Sequence, residues 1–458
     1  MEGLEISIVP FSYVLEKSDI CRFDSFFYSK NFLYEENLIE KHSNKSLKEL
    51  NAKLLSFGAY SLNNLVEYKN TGIPFIRGVN MKNGILDFSD VIYIDDFAHK
   101  LLWKSEVNPE MILLSMSGTI GDVAIAMPQY KYPMNSNQDI AKIDLRNCNI
   151  NPYFVYAYLC SQYGQNFLKR EARGSVQQHV FLSQIENLRI PIFTDTFQSK
   201  IESLVKSAHA KLEESKSLYS QAEDLLLGEL GLKDWQPKNT LHTTKKFSDF
   251  AQSGRLDAEY YQPKYDEIEK VIKSYKGGYD IVSNLFNQNL DVCDYKKTEY
   301  NYVEIGDVNV GDGSVSFNKV DTSELPDNAK RVLHKNDILI SKVRPYRGAV
   351  AIIDFEQEDL IGSGAFTVLQ EKSSYKKETL QILFRTAVYK DWLLKWNVGS
   401  SYPVIKDEDI LNLPIPILPE AIQTKIASLI QQSFEYKAQS KQLLEDAKRM
   451  VEAEIEKN

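Results

Sequence analysis

The chain has 458 residues, 43% hydrophobic and 26% charged, with a formal net charge of −9, which predicts a soluble globular protein of two or more domains. No run of about 18 apolar residues is present, and the start, Met1-Glu2-Gly3-Leu4-Glu5, has no basic stretch ahead of an apolar one, so neither a membrane span nor a signal peptide is expected. The acidic balance counts against a chain that wraps nucleic acid unaided but allows local basic loops, and four scattered cysteines without a CxxC pair argue against a zinc site or disulfide framework and fit a reducing cytoplasm.

Taken in order, the chain states most of its features twice, and repeats are the first thing to seek. Arg22-Phe23-Asp24-Ser25-Phe26-Phe27-Tyr28 is echoed by Arg255-Leu256-Asp257-Ala258-Glu259-Tyr260-Tyr261. Ile76-Arg77-Gly78-Val79-Asn80, followed by Gly84 and Phe88, returns as Ile305-Gly306-Asp307-Val308-Asn309, followed by Gly313 and Phe317. Asn83-Gly84 and Asp312-Gly313 within these stretches are hairpin-turn dipeptides. Ile112-Leu113-Leu114-Ser115 with Gly121-Asp122-Val123-Ala124-Ile125 recurs as Ile338-Leu339-Ile340-Ser341 with Gly348-Ala349-Val350-Ala351-Ile352; such apolar, β-branched runs predict buried strands. Helical patterning follows over Tyr153–Leu168 and Thr379–Leu394, then Gly174-Ser175 and Gly399-Ser400, then Leu188-Arg189-Ile190-Pro191-Ile192 and Leu413-Pro414-Ile415-Pro416-Ile417. The last two pairs share an offset of 225 residues. Residues 28–72 and 131–145 have no clear counterparts in the second copy. Two readers of different ligands, or drift after duplication, would both leave that pattern.

Each copy ends in a long seamed helix. The first runs from Phe197 to Leu227 with apolar residues Ile201, Val205, Ala208, Leu212, Tyr219, Ala222 and Leu226, and a small row Ala208, Ser215, Ala222. Thr194 or Thr196 can cap its start and Gly228 can end it. The second carries Ile422, Ile426, Leu429, Tyr436, Leu443, Ala447 and Met450. Three-and-four spacing of this kind is the seam of helices packed lengthwise, and helices this long should not stand alone in water. A parallel pair would place two domains at one end and an antiparallel pair at opposite ends. The boundaries read as a domain over 1–196, a helix over 197–232, a linker over 233–240, a second domain over 241–418 and a final helix over 419–458.

Catalytic signatures are missing. Asn151-Pro152-Tyr153-Phe154 has the look of an amino-methyltransferase loop but lacks a second proline and an upstream glycine-rich cofactor turn; a helix start, with Asn151 capping and Pro152 in the first turn, is the better reading. Ser117-Gly118-Thr119-Ile120-Gly121 lacks the Gly-Lys-Ser/Thr ending of a phosphate loop. The six histidines do not pair at metal-ligand spacing. The polar loops are more informative. In the first copy they hold Lys82, Lys131, Tyr132, Asn135, Asn137, Gln138, Arg173, Gln177, Gln178 and His179. In the second they hold Lys296, Lys297, Tyr300, Lys342, Arg344, Tyr346, Arg347, Ser400, Ser401, Tyr402 and Lys406. Arg and Lys pair with guanine edges, Asn and Gln with adenine edges, and all reach phosphates.

Over essentially its whole length the chain resembles the DNA specificity subunit of type I restriction–modification systems. The resemblance lies in Ile112–Ser115 with Gly118 and Gly121, in Gly174-Ser175 and Gly399-Ser400, in Leu188–Ile192 and Leu413–Ile417, and in the helix openings at Gln198 and Gln423. It implies an α/β (α+β) architecture with an internal pseudo-twofold repeat: two similar target recognition domains joined by two long antiparallel coiled-coil helices. Each domain would read half of a split double-stranded DNA site, and the helices would set the gap. It further implies that methyltransferase subunits, which carry S-adenosylmethionine, dock on the chain, that a motor-nuclease subunit can join them, and that this chain holds no cofactor or metal. Phe26 and Phe27 stand where the second copy has Glu259 and Tyr260. A methyltransferase or nuclease with an unfamiliar site, and a coiled-coil scaffold for proteins alone, are the competing readings.

Overall fold

The structure is a computed structural model and describes residues 6–17, 22–56, 66–174, 178–238, 240, 242–399 and 402–457. It divides into two units, Met1–Lys211 with Gln439–Asn458, and Leu212–Ala438. Each is a mixed α/β globule, and the two use one topology.

In unit 1, the strands Ile92–Ile94, Ile73–Ile76, Met134–Ser136 and Glu106–Val107 form one sheet in that order. Lys53–Leu55, Ile140–Asp144, Ile112–Ser115 and Val123–Ile125 form the other. In unit 2, the first order is repeated by Asn318–Asp321, Glu299–Val303, Leu360–Ser363 and Ala329–Val332. The second is repeated by Phe286–Gln288, Phe366–Glu371, Ile338–Ser341 and Val350–Ile352. In both first sheets the central pair is parallel and the outer pairs antiparallel. The runs Ile112–Ser115 and Ile338–Ser341 are buried at every position, which explains why their first three residues are all apolar rather than alternating. The proline-bearing echoes become a strand of a two-stranded ribbon in each unit, Asn44–Ser46 with Arg189–Pro191 and Tyr279–Ile281 with Pro414–Pro416. Such an edge tolerates residues without an N–H.

The predicted helices at 153–168 and 379–394 are each interrupted. Pro152–Cys160 is capped by Asn151, whose side chain accepts from the amides of Tyr153 and Phe154. The chain turns at Ser161 before Gln162–Glu171. Gly164 is needed there, because an added Cβ would lie 2.4 Å from the Tyr158 carbonyl oxygen. Unit 2 turns at Thr386, between Lys377–Arg385 and Ala387–Trp392, and the Thr386 side chain caps the second helix. The opening motifs share a role despite their different aromatics. Arg22 pairs with Asp24 and lies over Phe27, while Arg255 pairs with Asp257 and lies over Tyr260. The Tyr28 and Tyr261 hydroxyls donate to the carbonyls of Arg22 and Arg255.

The central helix spans Asp195–Leu230 and the C-terminal helix Glu420–Glu456. Thr194 Oγ1 accepts from the Phe197 amide at the opening. Gly228 lies inside the helix; the stop is Gly231, with φ 66° and the Leu232 amide returning to the Leu227 carbonyl, a left-handed termination that glycine suits. Within unit 1, Ile201, Val205 and Ala208 of the central helix share a core with Leu444, Ala447, Val451 and Ile455. Within unit 2, Tyr219, Ala222 and Leu226 share one with Ile426 and Ile430, and the two helices run antiparallel. The seam of the central helix is buried at all seven predicted positions. The second seam needs correction. Ile426 and Ala447 are buried, but Leu429, Tyr436, Leu443 and Met450 are only half-buried. The buried stripe runs through Ile426, Ile430, Ser433, Ser440, Leu444, Ala447 and Val451. These are the images of Ile201, Val205, Ala208, Ser215, Tyr219, Ala222 and Leu226 at the 225-residue offset. The predicted stripe preferred large apolar residues, whereas close helices select small ones, serines included.

Gln198 and Gln423, buried at equivalent helix openings, fix each helix to its domain. Gln198 Oε1 accepts from the Asn151 amide at 2.8 Å and its Nε2 donates to the Phe193 carbonyl at 2.9 Å. Gln423 does the same with the Lys376 amide at 2.9 Å and the Leu418 carbonyl at 2.8 Å. In both cases the amide bound lies at the N-terminus of a domain helix and has no intrahelical partner.

Candidate nucleic-acid interface

In each unit a loop after the strand Ile112–Ser115 or Ile338–Ser341 is pinned to a second loop that precedes the short helix Leu182–Ile185 or Asp407–Leu411. Ser115 Oγ donates to the Ser117 carbonyl at 2.9 Å, and Ser341 Oγ to the Val343 carbonyl at 2.8 Å. His179 then bridges Ser117 and Arg173, as Val404 bridges Val343 and Val398. Two loops distant in sequence thus form one face by the same backbone pairing in both units. Their side chains differ.

In unit 2 this face gathers six of the predicted residues. Tyr346 and Tyr402 are 42% and 56% exposed, and Arg347 and Lys406 are also exposed. Arg344 is half-buried, with its guanidinium carbon 4.6 Å from the Tyr402 ring centre, a cation–π stack. Lys342 is partly neutralised, because Asp407 accepts from its Nζ at 3.1 Å and from Thr367 Oγ1 at 2.6 Å. Beside them lies an open hollow lined by Val343, Gly364, Ala365, Ile405 and Glu408 among others. Ser400 and Ser401 fall outside the described residues. Lys296 and Lys297 are elsewhere, on the loop leading to strand Glu299–Val303, paired with Asp294 and Asp359. Those carboxylates hold the lysine pKa values above their usual range. Tyr300 is buried in a small apolar cluster.

In unit 1 the predicted set disperses. Asn135 is a core residue: fully buried, it donates to the Leu102 carbonyl at 3.0 Å and Ser105 Oγ at 2.9 Å. Its loop position in the sequence is a strand position in the fold, and the donors of its amide are spent inside. Tyr132 is half-buried, donates to the Met127 carbonyl at 2.9 Å, and burial pushes its phenol pKa far up. Asn137 donates to Asp139, and Gln138 is half-buried. Arg173 is half-buried and Gln178 exposed on the second loop; Gln177 lies outside the described residues. Lys131 is exposed. Lys82 is exposed on a hairpin with Asn83 and Gly84 at φ 52° and 85°, the expected two-residue turn. The Gly84 carbonyl accepts from the buried Tyr156 hydroxyl, so the hairpin packs back on helix Pro152–Cys160. Its counterpart in unit 2 is a longer loop, from Asn309 to Ser314, held by Gln381, Arg385 and Lys437.

Sequence reasoning passed over Trp103 and Lys104. Trp103 is 65% exposed and Lys104 Nζ lies 5.4 Å from its ring centre. Phe97, 67% exposed, precedes them on helix Asp96–Leu101. The signal was an aromatic residue beside a lysine, hidden because the stretch reads as an ordinary amphipathic run. Among the described residues no three or more His, Cys, Asp or Glu side chains gather as a metal site, and no helix is long and apolar enough to cross a membrane.

Comparison with known proteins gives a consistent result. Residues 40–218 and 279–448 match the family model described as "Type I restriction modification DNA specificity domain". The chain is 23% identical over 387 residues, covering 81% of this chain and 82% of the other, to a type I restriction enzyme MjaIX specificity subunit from Methanocaldococcus jannaschii. It is also similar to the crystal structure of the type I restriction–modification S subunit from M. genitalium, with TM-score 0.41, 13% identity and coverage of 90% and 94%. The crystal structure of the HsdS subunit from Thermoanaerobacter tengcongensis is similar with TM-score 0.29, 13% identity and coverage of 90% and 95%. With one match in each repeat, the chain belongs to the type I restriction–modification DNA specificity domain family.

Proposed function

We propose that this chain is the DNA-reading subunit of a type I restriction–modification complex and performs no chemistry itself. Each unit recognises one half of a split duplex site through its paired loops. The antiparallel helices fix the gap, and methyltransferase subunits supply both the S-adenosylmethionine and the catalytic residues. The assembly works in the cytoplasm and leaves room for a motor-nuclease subunit to join. The observation that carries the reading is one loop framework, built twice with the same backbone bonds and furnished with different side chains. Reuse of a frame with changed contents suits two readers of unlike half-sites.

Replacing residues 342–348 and 398–406 with those of a relative should alter one half-site and leave the other unchanged. Binding should also weaken steeply as salt rises, as phosphate contacts require. Methyl transfer by the purified chain alone would overturn the non-catalytic assignment, and salt-insensitive binding without sequence preference would favour a protein scaffold.

A further inference from the structure

The loop after strand Ile338–Ser341 holds an arginine in a backbone conformation that favours glycine. Arg344 has φ 50° and ψ 54°, the left-handed region that residues with a Cβ seldom adopt. The repeat supplies the control. Ser117 and Val343 occupy the same place, each accepting from the serine that ends its strand and each bridged to the second loop. The counterpart of Arg344 is therefore Gly118, with φ 74°, where an added Cβ would meet nothing within 4 Å. Unit 1 makes this turn with the residue the turn prefers. Unit 2 makes it with an arginine.

Folding does not call for that arginine. Its amide donates to the Pro403 carbonyl at 2.8 Å, a bond glycine would make equally well. Its guanidinium makes no hydrogen bond or ion pair among the described residues, and its one side-chain partner, the Tyr402 ring, is 56% exposed. The ring supports one face of the guanidinium and leaves the in-plane N–H donors unspent. A planar fork of free donors, held on a rigid surface aromatic, matches the two acceptors on the major-groove edge of guanine. Tyr346 and Arg347 are exposed beside it, while the Lys342 charge is already met by Asp407.

We propose that Arg344, pre-positioned on Tyr402, is a specificity-determining residue that reads a guanine in the half-site of unit 2. The loop of unit 1, from Met116 to Gly121, contains no Lys or Arg, so the half-site of unit 1 lacks this contact. The proposal rests on the DNA-reading function above.

The test uses the chain assembled with its methyltransferase subunits, whose modified motif is first mapped. Wild type, Arg344→Gly, Arg344→Lys and Tyr402→Leu are then titrated against the mapped duplex and every single base-pair substitution of it. Arg344→Gly should unfold at the wild-type temperature or above, because it relieves the turn. It should bind the mapped site about 5- to 150-fold more weakly, the range of one bidentate base contact. One G·C pair in the unit 2 half-site should cease to matter in this variant, every other position keeping its wild-type penalty. Arg344→Lys, lacking the fork, should not restore discrimination, and Tyr402→Leu should lose part of it. A uniform loss across all duplexes, with the salt slope reduced by about one, would make Arg344 a phosphate contact and overturn the proposal. Unchanged binding, or a lowered unfolding temperature in Arg344→Gly, would overturn it as well. A wild-type complex with no sequence preference would instead remove the DNA-reading function itself.

Discussion

Lys142 is the side chain of unit 1 whose burial is hardest to justify, and replacing it with methionine should stabilise the protein. Lys142 is fully buried on strand Ile140–Asp144, opposite Leu113. Its Nζ donates to Ser136 Oγ at 3.0 Å and to the Ile140 carbonyl at a long 3.5 Å, with no carboxylate bonded to it among the described residues. The equivalent strand position in unit 2, opposite Leu339, is Val368 in an apolar core. Burial lowers the lysine pKa from 10.5 to about 7. The sign follows from which state holds the proton. Below pH 7 both folded and unfolded forms are charged, and the folded state carries the full cost of a buried ammonium. Between about 7 and 10.5 the unfolded chain binds more protons than the folded one, so stability rises with pH by up to about 1.4 kcal/mol per unit. Above 10.5 the difference vanishes. Integrated, the cost is at most about 5 kcal/mol, and relaxation around the site makes about 2–5 kcal/mol the expected gain for Lys142→Met at pH 6. Urea unfolding of wild type and variant from pH 6 to 10, followed by far-ultraviolet circular dichroism, measures it. Groups common to both proteins cancel in the difference. The gap between them should stay level below about pH 7 and narrow as pH rises beyond it. A gap that is constant with pH, or a variant less stable than wild type at pH 6, would refute the reasoning.

Three further outcomes follow from buried polar groups. In the helix pair, Ser215 Oγ donates to the Ser433 carbonyl at 2.7 Å and Ser433 Oγ returns a bond to the Ser215 carbonyl at 2.8 Å; Ser215→Ala or Ser433→Ala should cost about 1 kcal/mol in urea unfolding. Ser440 is the repeat image of Ser215, yet its buried hydroxyl has no hydrogen-bond partner among the described residues, so Ser440→Ala should be neutral or stabilise by up to about 1 kcal/mol. Gln198→Ala and Gln423→Ala each leave a helix-start amide and a carbonyl unpaired. Each should cost about 1–3 kcal/mol, read as faster amide hydrogen exchange at the opening of the corresponding domain helix.

Much of this architecture was legible because the chain repeats itself. The buried strand runs, the proline-bearing echoes and the helix openings recur at offsets of 225 to 227 residues, and duplicated signals outweigh the ambiguity of any single apolar run. In the second seam size and offset disagree: Leu429 and Tyr436 look like seam residues, while Ser433 and Ser440 occupy it. The helix stop lies one turn beyond Gly228, because Gly228 and Gly231 look alike in the sequence and only Gly231 takes a positive φ. The polar loops were legible in part. Arg344, Tyr346, Arg347 and Tyr402 come together because two loops are zipped by backbone bonds that no spacing announces. Asn135 was misplaced because residues 131–145 lack a clear echo, so nothing marked Met134–Ser136 as a buried strand paired with Ile73–Ile76. Trp103 and Lys104 carry the weakest signal, a lone aromatic–basic neighbour pair.

The most direct measurement of the central claim is base-resolution mapping of methylation across the genome, with this chain present and with its gene deleted. Two short half-motifs separated by a gap of fixed length, modified only when the chain is present, are the predicted result. A continuous motif, or a pattern that survives deletion of the chain, would contradict it.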